Sequence, residues 1–304
     1  MPGPLTQQEF EVASRLAAGC TVADLGRVVG SSFVGAGDVD VACVASDLAG
    51  RGLIFGGRLS GEGWDAIETY RVRRAVIMAA GFGSRLLPVT RSVPKPLARV
   101  GGVRIIDTII DALVRAGVGE IYVVRGYLGE QFEPLLAKYP GVRLIDNDLY
   151  DSCNNISSVF AARDLLAGAY VIEGDLFVRN ADVLCPYQYC TNYLGVPVAS
   201  TDDWCFTLDG DRIADIGIGG VNCCHMYGVS WWSESDGTRL ARDVASAMSD
   251  DAWRSRYWDE VALCYARGSY DVRVRRCEMS DIDEIDTYEE FLALGGVWEG
   301  DARV

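Results

Sequence analysis

The sequence predicts an α/β protein: a Rossmann-like domain over residues 73–304, with a mixed sheet covered by helices on both faces, preceded by a small helical unit over residues 1–70. Three observations predict it. From Arg74 onward, short apolar runs alternate with amphipathic stretches, the pattern of strands buried between helices. The first run, Ala75-Val76-Ile77-Met78, leads directly into a loop with two spaced glycines, Gly81 and Gly83. Ahead of Arg74 that alternation is absent, and helical stretches and a hairpin signal stand in its place.

In chain order, Thr6 to Ala17 reads as a helix with Phe10, Val12, Ala13 and Leu16 apolar. Thr21 can cap a second helix through Leu25 to Val29. Gly35-Ala36-Gly37 is a turn, and Asp38 to Ala49 is a third helix stopped by Gly50. Gly52-Leu53-Ile54-Phe55 and Arg58-Leu59 read as two short strands around Gly56-Gly57. Three helices followed by a hairpin resemble a winged helix. That resemblance implies DNA binding, but the charge opposes it. Residues 1–70 carry nine acidic and four basic residues, and the third helix carries Asp38, Asp40 and Asp47 with no base.

The second unit continues with a helix over Ile105 to Arg115, ended by Gly117, and a strand over Glu120 to Val124. A helix over Glu130 to Lys138 and a strand over Val142 to Ile145 follow. Ile156 to Leu166 is the next helix and Ala169 to Ile172 the next strand. Successive strands joined by helices run parallel, and ligands of such sheets sit at the C-terminal strand ends.

Composition narrows the function. A net charge of −15 opposes nucleic-acid binding and makes the group Arg85, Arg91 and Lys95 informative. The ten cysteines form no CxxC pair and the single histidine, His225, stands alone, so a structural zinc site is not expected. No apolar run reaches membrane-spanning length, and Met1 to Gln8 lacks the features of a secretory signal. The cytoplasm is the expected location, with the cysteines reduced.

The loop Ala79-Ala80-Gly81-Phe82-Gly83-Ser84-Arg85 can turn backbone N–H groups toward a phosphate. It lacks the Gly-Lys-Ser/Thr of a P-loop, and Leu86 replaces the third glycine of the dinucleotide fingerprint. Ten residues beyond Arg85, Lys95 lies between Pro94 and Pro96, which restrict its backbone. The run from Ala79 to Leu97 resembles the signature of the sugar-nucleotidyltransferase superfamily, and within it the LicC-like CTP:phosphocholine cytidylyltransferases. Further matches fall in order at Val123–Phe132, Asn147–Tyr150, Asn154–Ser158, Val171–Asp175, Tyr257–Glu260 and Asp283–Thr287.

The resemblance implies a GT-A-like fold, Mg²⁺ as cofactor, and CTP and a small phosphate- or phosphonate-bearing acceptor as partners. No nucleic acid or membrane partner is expected, and a homodimer is admitted. It implies Asp175 and Asp286 as metal ligands, with Glu284 on the same face of an extended segment as Asp286. Lys95 and Arg85 would act on the phosphates as catalytic groups. Ala79, Ala80, Gly81, Gly83 and Ser84, with Gly126, Tyr127, Asn154, Asn155 and Ser157, would hold the nucleotide. For the acceptor, Trp204 beside Asp203, Trp232, and Trp258 beside Asp259 and Glu260 combine aromatic faces with carboxylates, as a cationic head requires. The implied reaction transfers CMP to phosphocholine. 2-Aminoethylphosphonate, phosphoethanolamine and a sugar phosphate are the enzymatic alternatives, and a ligand-sensing transcriptional regulator is the non-enzymatic one.

Overall fold

The computed structural model describes residues 3–298; the last residues of the second unit, 299–304, and Met1 and Pro2 lie outside them. The chain begins with α1 (Gln7–Ala17), the strand pair β1 (Val28–Val29) and β2 (Val39–Asp40), and α2 (Val41–Gly50). The hairpin β3 (Ile54–Phe55) and β4 (Arg58–Leu59) and then α3 (Gly61–Glu68) follow. A capping box starts α1: Thr6 N donates to Glu9 at 2.7 Å and Glu9 N donates back to the Thr6 hydroxyl at 3.2 Å. Phe10, Val12 and Leu16 of α1 pack with Val44, Leu48, Leu53 and Ile67 into a core that also takes in Tyr187 from the second unit.

The helix expected from Thr21 to Val29 does not form. Thr21 N and hydroxyl both donate to Asp24 at 2.7 Å and close a local turn. Gly26 then takes a φ of 71°, outside the helical region, and Val28–Val29 pairs with Val39–Asp40 as a strand. Two helices therefore precede the hairpin and one follows it.

From Arg74 the chain forms β5 (Arg74–Ala79), the pair β6 (Arg99–Val100) and β7 (Val103–Arg104), α4 (Ile105–Arg115) and β8 (Glu120–Arg125). It continues with α5 (Pro134–Lys138), β9 (Val142–Asp146), α6 (Ile156–Ala161), β10 (Ala169–Glu173) and β11 (Leu176–Val178). The long strands β12 (Asn192–Asp209) and β13 (Arg212–Trp232) come next, then α7 (Glu234–Met248), β14 (Arg273–Arg276), β15 (Ile282–Glu284) and α8 (Tyr288–Ala293).

Seven strands make one mixed sheet in the order β12–β14–β13–β10–β5–β8–β9. Its parallel part, β10–β5–β8–β9, is the part legible as apolar runs, and β13 closes it antiparallel to β10. The alternation along β5 shows why both faces need helices. Ala75 and Ile77 pack in a core with Ile106, Ile109, Ile110 and Leu113 of α4. Met78 faces the other core, with Ile156 and Val159 of α6 and Leu240 and Val244 of α7. Each such large side chain contributes roughly 2 kcal/mol on burial.

Two predicted helices are shorter than expected. Pro134 has no N–H to continue a helix, so 129–138 divides into a tight turn and α5. The stretch expected to Leu166 leaves α-helical geometry after Ala161. Among the described residues, no helix is long and apolar enough to cross a membrane.

Candidate active site

Because β5 and β10 run parallel and adjacent, both end at the same edge of the sheet. A cavity of about 780 Å³ opens there. The loop after β5 forms one wall. Gly83 takes a φ of 60°, and a Cβ there would come within 2.9 Å of the Lys95 Cβ. The missing side chain lets the loop close on Lys95, and the Thr90 hydroxyl fixes it by donating to Gly83 O at 3.0 Å. Ala79, Ala80, Gly81, Gly83, Ser84 and Arg85 all line the cavity.

Lys95 is nearly buried, and its ammonium donates to Asp175 Oδ2 at 2.7 Å and to Asp286 Oδ1 at 3.0 Å. Burial would lower its pKa, but the two carboxylates outweigh it and hold the group above its ordinary value. Arg85 is largely exposed and reaches the other oxygen of Asp286 at 2.9 Å. Residues 111 apart in sequence meet here because β11 pairs antiparallel with β15. Leu176 is opposite Glu284, so Asp175, just before β11, stands near Glu284 and Asp286. Burial pushes Glu284 up to about 8, and the charges of Asp175, Asp286 and Asp203 add to the shift.

Asn154, Asn155, Ser157 and Ser158 form the next wall. Buried Asn147 donates to the Ser157 hydroxyl at 3.0 Å and to the Ser158 hydroxyl at 3.2 Å, which fixes the start of α6. The Asn155 side chain makes no cap on α6. Its Oδ1 accepts Trp258 N at 2.9 Å and its Nδ2 donates to Glu173 at 3.3 Å.

At the far end stand Asp203 and Trp204 from β12, Met226 and Gly228 from β13, and Tyr257 and Asp259. Trp204 and Tyr257 meet edge to face with ring centroids 5.3 Å apart. Asp259 accepts the Tyr193 hydroxyl at 2.8 Å, and burial pushes its carboxyl up to about 7.

Five of the predicted site residues do not line the cavity. Trp232 is fully buried and donates its indole N–H to Ser230 at 2.9 Å. Trp258 is 1% exposed and stacks on Tyr193 in the core beneath the site, at 5.9 Å between centroids. Asp259 faces the cavity, while Trp258, one residue earlier, turns into the core. Glu260 instead pairs with Arg256 at 3.2 Å and takes Tyr257 N at 3.0 Å. Gly126 lies against Tyr150 and Ala80 O, where a Cβ would overlap both. Tyr127 donates its N–H to Ala80 O at 3.1 Å and its hydroxyl to Thr90 O at 2.9 Å. These two brace the loop from behind.

Sequence reasoning assigned no role to Tyr150 and Glu173, both of which line the cavity, whereas Tyr257, which also lines it, falls among the aromatics expected on the acceptor side. Glu173 ends the buried strand β10, and burial, with Asp175, Asp259 and Glu284 nearby, holds its pKa well above the ordinary value. A charged residue closing an otherwise apolar strand beside Gly174 was the available signal. His225 lies outside the cavity lining, with its ring edge-on to Tyr227 at 5.1 Å, and burial lowers its pKa.

Residues 74–191 match the nucleotidyl transferase family model. The chain is 39% identical to the 2-aminoethylphosphonate cytidylyltransferase of Lancefieldella rimae over 72% of this chain and 91% of that one. It is 31% identical to the choline-phosphate cytidylyltransferase of Streptococcus pneumoniae over 73% of this chain and 96% of that one. Among solved structures, the CTP:phosphocholine cytidylyltransferase LicC from Streptococcus pneumoniae aligns with a TM-score of 0.68 and 30% identity, covering 74% of this chain and 98% of that one. With the loop, the buried lysine and the facing carboxylates arranged around one cavity, the chain belongs to the nucleotidyl transferase family, among its LicC-type cytidylyltransferases.

Proposed function

We propose that the enzyme transfers CMP from CTP to 2-aminoethylphosphonate and releases pyrophosphate. The carrying observation is the make-up of the acceptor end. Glu173, Asp203 and Asp259 line it, while of the three tryptophans expected there only Trp204 does. Carboxylates suit a primary ammonium through charged hydrogen bonds, whereas a trimethylated head needs aromatic faces. The likeness to the Lancefieldella rimae protein supports the same acceptor. Phosphocholine is the second reading, supported by the Trp204–Tyr257 pair and the likeness to the Streptococcus pneumoniae enzyme. Catalysis belongs in this reading to residues 73–304, with residues 1–70 as an accessory unit.

The chemistry needs little proton transfer. A phosphonate or phosphate oxygen is largely ionised near neutrality and can attack the α-phosphorus without a general base. Lys95, kept charged by its carboxylates, stabilises the charge that builds on the α-phosphate. Arg85 and the N–H groups of residues 80–84 hold the departing pyrophosphate. The carboxylates of Asp175, Asp286 and Glu284 offer only hard oxygen donors; burial first, and then repulsion from Asp175 and Asp286, lifts Glu284, and a divalent cation would offset both. Among the described residues no three such side chains stand close enough to chelate a cation by themselves. Mg²⁺, which needs only one or two carboxylates beside phosphate oxygens, would be held here together with the nucleotide and would supply charge stabilisation and orientation of the phosphates.

A pH dependence follows. Glu284 moves from 4.5 to about 8 on folding. Between those values the folded protein binds more protons, so without a divalent cation its stability falls as pH rises through the window. Mg²⁺ binds the ionised form. Its gain in Tm should therefore be larger at about pH 8.5 than at about pH 6, measured by thermal unfolding. Equal gains at both would remove Glu284 from the metal site.

The acceptor is tested by kcat/KM with CTP for 2-aminoethylphosphonate, phosphoethanolamine and phosphocholine side by side. The two amines should exceed phosphocholine, with the phosphonate highest. A clear preference for phosphocholine would move the assignment to the second reading.

A further inference from the structure

We infer that Glu173, together with Asp259, reads the ammonium head of the acceptor, and that Gly228 and Asn155 hold Glu173 in place for it. The inference rests on the reading above that the acceptor carries a primary amine. Glu173 is the last residue of β10, and the register Ile172 opposite Val229 brings its side chain across Gly228 on β13. A Cβ at position 228 would lie 2.4 Å from Glu173 Oε2 and 2.6 Å from its Cγ. The carboxylate therefore occupies space that only glycine leaves open.

Asn155 fixes the other side. Its Nδ2 donates to Glu173 Oε1 at 3.3 Å, and its Oδ1 accepts the N–H of Trp258, the residue before Asp259. One amide thus ties the Glu173 carboxylate to the backbone that leads into Asp259. Asp259 is in turn held by the Tyr193 hydroxyl. Both acids face the cavity, both are served by neutral donors, and among the described residues neither has an ion-pair partner. The nearest ammonium, Lys95, is already spanned by Asp175 and Asp286.

A primary ammonium carries three N–H donors and can bond both carboxylates at once, with the third left for Asp203 or water. A trimethylated head has no donor to offer. A site built to receive hydrogen bonds rejects analogues that lack them more strongly than an apolar pocket rejects a change in size. Gly228 and Asn155 act through Glu173 as positioning residues.

The test is steady-state kinetics of the full chain with CTP and Mg²⁺, comparing 2-aminoethylphosphonate with ethylphosphonate, which has the same reacting group and no amine. Glu173→Gln keeps the side-chain shape and removes the carboxyl that can ionise against the ammonium. The ratio of kcat/KM for the amine over ethylphosphonate should fall about 100-fold, as loss of a charged hydrogen bond predicts. Gly228→Ala, which displaces the carboxylate without altering it, should lower the same ratio about 10-fold or more. A ratio unchanged in Glu173→Gln overturns the inference and assigns Glu173 to the phosphate and metal end, because there it would affect both acceptors equally. Failure of the underlying reading looks different: the wild-type enzyme would itself favour phosphocholine or a sugar 1-phosphate.

Discussion

Replacing Asp175 by Asn is expected to lower kcat with CTP by at least about 1,000-fold, and Asp286→Asn by a similar factor. The reason lies in what these two carboxylates hold: both bond the buried Lys95 ammonium. Asp175 comes from the turn between β10 and β11, and Asp286 lies two residues beyond β15. The pairing of β11 with β15 brings both to one ammonium. Each supplies one negative charge to Lys95 and, in the proposed function, one oxygen to Mg²⁺. Asparagine keeps the shape and one oxygen but loses the charge. Neither aspartate is fully buried, with side chains 27% and 22% exposed, so the fold should survive. Circular dichroism and Tm check that survival, and single-turnover kinetics at saturating Mg²⁺ measure the loss. Near-normal turnover in both variants would sink the two-carboxylate assignment.

Lys95→Ala is expected to lower kcat by about 100- to 1,000-fold, with a smaller change in the KM for CTP. The ammonium is desolvated and aimed by two carboxylates, and the flanking prolines restrict the backbone that carries it. In the proposed function its charge is therefore already oriented before the α-phosphate becomes more negative, which is where preorganised charge acts most strongly. Lys95→Arg should not restore the rate, because a planar guanidinium cannot replace a point charge between Asp175 and Asp286. The same alanine variant leaves Asp175, Asp286 and Glu284 facing one another without their buried cation. It should unfold at lower temperature near neutral pH and recover part of that loss when Mg²⁺ is added. A variant with altered KM and unchanged kcat would place Lys95 in binding alone.

The parallel strands were legible because burial on both faces makes them continuous apolar runs, as in Ala75 to Met78 and Ala169 to Ile172. The loop after β5 and Lys95 were legible because glycine and proline mark backbone constraints locally. The hairpin β12–β13 was not. Its register shifts at Tyr193/Gly195 and again between Thr201 and Trp204, so no single two-residue period runs through it. Exposed Ile218 and Val221 further blur the division of its faces. The acceptor end was half legible. A Trp-Asp pair at 258 and 259 reads as a joint cation site, yet only tertiary packing decides which neighbour turns inward. Glu173 escaped notice because its environment is made by Gly228 and Asn155, neither adjacent to it in sequence.

The most direct measurement is product identification: ³¹P NMR and mass spectrometry of the enzyme incubated with CTP, Mg²⁺ and 2-aminoethylphosphonate. The account predicts a new phosphonate–phosphate anhydride carrying CMP, formed in step with pyrophosphate and absent with the Asp175→Asn variant. Pyrophosphate release without such an anhydride, or turnover only with a sugar 1-phosphate, would contradict it.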